Sequence, residues 1–141
     1  MAAASSATTV WEGDLATGSG VATPQSGAFG ATDVSWASRT QRAAGKTSPE
    51  ELLAAAHSSC YCMQLSHELA EAGTPPASLE ATATVEFVPG EGVTSSRIVV
   101  TGRVPGIDQA AFAAAAASAG DGCPISGALS VPISVEATLE S

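Results

Sequence analysis

Basic side chains are scarce: 5 Lys and Arg stand against 14 Asp and Glu, for a formal charge of −9. Nucleic acid and anionic lipid both need clustered Lys or Arg to displace counterions, so the deficit argues against either partner. Bulky aromatics are few, with two Trp, one Tyr and three Phe, and much of the apolar content is alanine. A monomer built this way has a thin core, which an intertwined oligomer would thicken. No apolar run approaches the roughly 20 residues of a membrane span. Met1 to Thr9 lacks a charged segment leading into an apolar stretch, so no secretory signal is read and cytoplasmic residence is expected. Three cysteines suit no disulfide framework, which takes even counts and an oxidising compartment. Reactive or buried thiols remain. No glycine-rich phosphate loop follows a strand, which disfavours nucleotide cofactors.

What is present reads as one domain, residues 1–141, with residues 1–8 as a flexible lead. Gly and Pro punctuate the first 46 residues, leaving short strands at Thr9 to Trp11, Ser19 to Ala22 and Asp33 to Trp36. The strongest local signal is Thr47-Ser48-Pro49-Glu50-Glu51. Ser48 can cap a helix, Pro49 fits its first position and Glu51 falls at the capping-box position. This helix runs to about Ala72, where Gly73 suits the left-handed cap and Pro75 and Pro76 prevent continuation. Leu52, Ala56, Cys60 and Met63 share one face and Leu65 and Leu69 another, which predicts burial on several sides. Alternation over Ala81 to Phe87, a turn at Pro89-Gly90-Glu91-Gly92 and a second alternating run to Val104 predict an antiparallel hairpin. Asp108 caps a second helix, from about Gln109 to Ala119, with Cys123 just past its end, and Val131 to Leu139 form a closing strand. The order predicts an α+β domain, a long helix against a curved antiparallel sheet.

Cys60 lies in a helix of mostly small and apolar residues, where a thiol ordinarily stays protonated. Peroxide reduction requires the thiolate, hence a cation and hydrogen-bond donors near it. Arg39, Arg42 and Lys46 lie just ahead of the helix, and Glu50 can orient an arginine through a bidentate pair. Along one straight helix Glu50 and Cys60 stand about 15 Å apart. Joining them requires a break near Ala56 to Ser59, which would also place Cys60 at a fresh helix N-terminus, or an arginine reaching in from elsewhere. His57 and His67 are read as packing residues, Cys62 as core filler, and Arg97 and Arg103 as a solvated strand face. A zinc site from Cys60, Cys62, Cys123 and His57 is disfavoured because Cys-x-Cys in a helix splays the sulfurs.

Residues Thr47 to Cys60, followed far downstream by Gly122-Cys123-Pro124-Ile125-Ser126, resemble the osmotically inducible protein C (OsmC) and organic hydroperoxide resistance (Ohr) family. Trp11-Glu12-Gly13-Asp14 and Val104-Pro105-Gly106-Ile107-Asp108 resemble its OsmC branch. The likeness runs from about residue 10 to the end. It implies an OsmC-like fold in an intertwined homodimer that reduces organic hydroperoxides without metal, flavin or haem. Cys60 then matches the peroxidatic cysteine, Cys123 the resolving one, Arg39 the activating arginine with Arg42 as the alternative, and Glu50 the acid holding it. A dithiol such as a lipoyl protein would reduce the Cys60–Cys123 disulfide. Leu53 and Phe112 are expected to shape an alkyl pocket. The alternative reading is a non-catalytic redox sensor or apolar-ligand carrier on the same fold.

Overall fold

The computed structural model describes residues 2–41 and 45–140, which form two compact units, one within residues 1–52 and one within 53–141. Three strands make the sheet of the first unit: β1 (Ala7–Glu12), β2 (Ser19–Pro24) and β3 (Thr32–Val34), in that order and antiparallel throughout. The strand expected at Asp33 to Trp36 stops at Val34, and α1 (Trp36–Gln41) begins. Ser35 and Ser38 cap this short helix reciprocally, each hydroxyl accepting the other's amide N–H at 3.0 Å. Helix α2 (Pro49–Glu71) starts where expected. Ser48 Oγ accepts the Glu51 N–H at 3.1 Å, while the Glu51 carboxylate takes the Thr47 hydroxyl at 2.7 Å. The helix ends at Gly73, whose φ of 84° is open to a residue without Cβ.

The second unit carries a mixed sheet in the order β4 (Ser78–Val88), β5 (Gly92–Arg103), β6 (Ile133–Leu139). β4 and β5 form the expected hairpin. β6, however, runs parallel to β5, so the sheet is not antiparallel throughout. The reason lies in the connection: α3 (Gln109–Gly122) and α4 (Pro124–Ala128) intervene, and a helical crossover returns the chain in the same direction. Asp108 caps α3, its carboxylate accepting the Ala111 N–H at 2.8 Å.

The core of this unit joins Tyr61, Leu65 and Leu69 of α2 to Ile98 and Val100 of β5 and to Phe112, Ala116 and Ala119 of α3. The small alanines let α3 approach closely, and Gly102 leaves room for the Phe112 ring. Burial on α2 follows one stripe at four-residue spacing, His57, Tyr61, Leu65 and Leu69. Met63, expected inside, is 72% exposed. Arg97 and Arg103 are exposed, as their alternation predicted. Among the described residues no helix is long and apolar enough to cross a membrane.

Candidate functional site

Within the first unit, chemistry gathers where α1 meets the start of α2. Thr47 bridges to Val34 of β3, and the Ser48 cap and Pro49 follow directly, which sets the first turn of α2. That turn buries Glu50 to 2% exposure. Arg39, in the last turn of α1, reaches it: Arg39 Nε–H donates to Glu50 Oε1 at 2.6 Å and to Oε2 at 3.2 Å. Two charge-assisted bonds compensate a buried carboxylate that would otherwise be costly. Arg39 also lines an apolar cavity of about 330 Å³ walled by Trp11, Leu15, Val34, Trp36 and Leu52. Arg42 lies outside the described residues.

Within the second unit the two predicted sulfurs meet. Cys60 projects from α2, and Cys123 occupies the joint between α3 and α4. There its own N–H still bonds the Ala119 carbonyl at 2.9 Å, while Pro124 opens the next helix. Gly122 permits the approach, since a Cβ there would press on the Gln64 side chain of α2. The two thiols lie within hydrogen-bonding reach of each other, and neither is in a disulfide. Cys123 is 1% exposed, whereas Cys60 is half-buried. The first amides of α4 have no acceptor inside their own helix, so they serve the sulfurs. Ile125 N–H points to both and Ser126 N–H to Cys123. Burial pushes the Cys60 thiol up, Ile125 N–H opposes this, and the Cys123 side chain adds to the rise. For Cys123, burial alone would also raise the thiol. The Ser126 amide, the Cys60 thiol, the Ser126 hydroxyl and the Ile125 amide together outweigh it and hold Cys123 below the ordinary value. The donors of α4 thus gather on the Cys123 side of a pair of thiols that titrate together.

His57 completes the surroundings of Cys123 through residues that sequence reasoning missed. The ring is fully buried, with Nδ1 2.6 Å from Ser96 Oγ of β5 and Nε2 2.7 Å from Ser126 Oγ of α4. The expected packing role thus comes with two hydrogen bonds, and burial pushes the imidazole down from its ordinary value. Ser96 had left a trace in the sequence as the polar member of the inward series Ser96, Ile98, Val100, Gly102.

Four expectations need correction. The break near Ala56 to Ser59, one of the two ways foreseen to join Glu50 and Cys60, is not formed: α2 is continuous from Pro49 to Glu71, with no Gly or Pro after its first residue to interrupt it. Cys60 thus has no fresh helix N-terminus, and its one amide donor, Ile125 N–H, comes from α4 instead. Cys62 is half-buried rather than core. It accepts the Ala81 N–H and lines a second cavity, of about 590 Å³, with Met63, His67 and Leu79. His67, read as a packing residue, is exposed there. Phe112, read as a pocket wall, is fully buried in the core. Among the described residues no group of three or more His, Cys, Asp and Glu could hold a metal ion.

The chain is thus of the α+β class and brings two free thiols, Cys60 and Cys123, together at a helix joint. The OsmC-like protein family model matches residues 42–138. A curated relative, peroxiredoxin OsmC of Escherichia coli strain K12, is 36% identical over 134 residues, covering 93% of each chain. The peroxiredoxin OsmC of Shigella flexneri matches to the same extent. Among solved structures, an OsmC-like protein from Mycoplasma pneumoniae superposes with a TM-score of 0.75 at 16% identity, over 100% of both chains. The organic hydroperoxide resistance protein OhrB of Bacillus subtilis gives 0.65 at 21% identity, over 96% of this chain and 98% of its own. The chain belongs to the OsmC-like family, and its likeness to the peroxiredoxins OsmC places it in the OsmC branch.

Proposed function

We propose that the chain is a cysteine-based peroxidase that reduces organic hydroperoxides to alcohols. The observation that carries the reading is the pair of free thiols, Cys60 and Cys123, within reach of one another in a chain of this family. Cys60, the more accessible sulfur, takes the peroxidatic role. As thiolate it attacks a peroxide oxygen, the O–O bond breaks, and the alkoxide leaves and is protonated to the alcohol. The Cys123 thiolate then attacks the resulting Cys60 sulfenic acid, and hydroxide leaves as water when the disulfide forms. A dithiol, such as a lipoyl group on a carrier protein, restores both thiols by two exchanges. Arg39, oriented by Glu50, is assigned as the cation that favours the Cys60 thiolate and the leaving oxygen. The first unit by itself offers an apolar cavity, lined by Arg39, of a character suited to an organic group. The working assembly is a cytoplasmic homodimer.

Consumption of tert-butyl hydroperoxide with dihydrolipoamide as reductant tests this. Turnover is expected to vanish in Cys60→Ser and to give way to overoxidised Cys60 in Cys123→Ser, while Cys62→Ser retains it. Undiminished turnover in Cys60→Ser would end the reading. The same apolar cavity favours one alternative, an apolar-ligand carrier or sensor whose thiols respond to oxidant. Oxidation that stops after one equivalent in excess reductant would select it.

A further inference from the structure

The Cys123 sulfur, the Ser126 hydroxyl, the His57 ring and the Ser96 hydroxyl form one continuous chain of hydrogen bonds inside the second unit. Its members come from the α3–α4 joint, from α4, from α2 and from β5. The hydrogens along it are not independent. A serine has one hydroxyl proton, and a neutral imidazole has one N–H and one bare nitrogen. If the Ser126 proton points to sulfur, Ser126 Oγ must accept from His57 Nε2–H, and His57 Nδ1 must accept the Ser96 proton. Turning any one bond round turns the others.

The geometry points to His57 as a positioning residue for Cys123: anchored by Ser96 at Nδ1, its Nε2–H occupies the Ser126 oxygen and directs the Ser126 proton onto the Cys123 sulfur. His57 does not touch the reacting atoms. It acts through Ser126, keeping the attacking sulfur of the second step supplied with a hydroxyl donor. Both ring partners are neutral hydroxyls, and burial opposes the imidazolium, so the ring works as an oriented dipole and not as a charge. The other titratable groups that interact with Cys123 are Cys60 and Tyr61, and the Tyr61 hydroxyl is engaged by the Ala116 carbonyl at 2.8 Å. The assignment of the second step rests on the peroxidase reading; the hydrogen-bond chain does not.

The test therefore uses a readout that needs no peroxide. In a Cys60→Ser, Cys62→Ser background Cys123 is the sole thiol, and thiolate absorbance near 240 nm follows its titration. Ser126→Ala and His57→Phe are each expected to raise that titration by about one pH unit. His57→Gln, whose amide can stand near Nε2, should restore most of it. Ser96→Ala, which keeps both His57 and Ser126, should raise it by a smaller amount and serves if His57→Phe does not fold. An unmoved Cys123 titration in folded Ser126→Ala and Ser96→Ala would overturn the inference. With all three cysteines present, Ser96→Ala should slow disulfide closure several-fold. Peroxide turnover with an unmoved titration defeats the positioning role alone. A shifted titration without turnover defeats the peroxidase reading alone.

Discussion

Replacing Arg39 by Met leaves the Glu50 carboxylate inside the first unit with its guanidinium gone. Glu50 is 2% exposed and Arg39 31%, with contacts of 2.6 and 3.2 Å. Two unit charges about 4 Å apart attract by about 4 kcal/mol at an effective dielectric of about 20. The exposed third of Arg39 admits solvent screening, which brings the coupling down to about 2 kcal/mol. Arg39→Met should thus destabilise by about 3 kcal/mol, since an uncompensated buried charge adds to the lost attraction. Glu50→Gln should cost about 1.5 kcal/mol, because the amide keeps a neutral bond. The double variant should cost less than the sum of the two. Urea unfolding followed by tryptophan fluorescence is the natural assay, since Trp11 and Trp36 both line the cavity beside Arg39. Additivity of the two single changes to within about 0.5 kcal/mol would refute the argument. If the proposed catalytic role holds as well, each single variant loses on the order of 100-fold in peroxide turnover.

Gly102→Ala should destabilise the second unit by about 1 to 3 kcal/mol in thermal unfolding. The new Cβ would lie 2.5 Å from Phe112 Cε1 and 3.1 Å from Leu79 Cδ2, and Phe112→Leu should relieve much of the loss. Acid should weaken the fold through His57. Its folded titration lies below the ordinary 6.5, so between the two values the unfolded chain binds the extra proton and stability falls as pH drops below about 6.5. Urea midpoints measured between pH 7.5 and 5 should show this slope in the parent chain and a flatter one in His57→Gln.

Both ends of α2 were legible because caps are local: Ser48, Pro49 and Gly73 act within a few residues of themselves. The β4–β5 hairpin was legible because alternation survives in the composition of its faces. Helix α1 escaped notice since six residues cannot show a 3.6-residue period, although Ser35 and Ser38 offered a capping signal. The parallel placement of β6 depended on a crossover whose direction no single element encodes. Arg39 with Glu50, and Cys60 with Cys123, were both named as pairs from motif likeness, and the structure brings the members of each within reach. The hydroxyls on His57 lay beyond that likeness. Ser96 and Ser126 stand 39 and 69 residues from the ring, and common serines carry no mark of what they will face.

The concealment of Cys123 at the α3–α4 joint sets how the molecule weathers. Reagents in the surrounding fluid, whether electrophile, nitric oxide donor or stray copper, encounter Cys60 and Cys62 first, and the third sulfur only through its neighbour or after the scaffold opens. Chemical wear consequently falls on the accessible sulfurs, and Cys123 is kept out of harm.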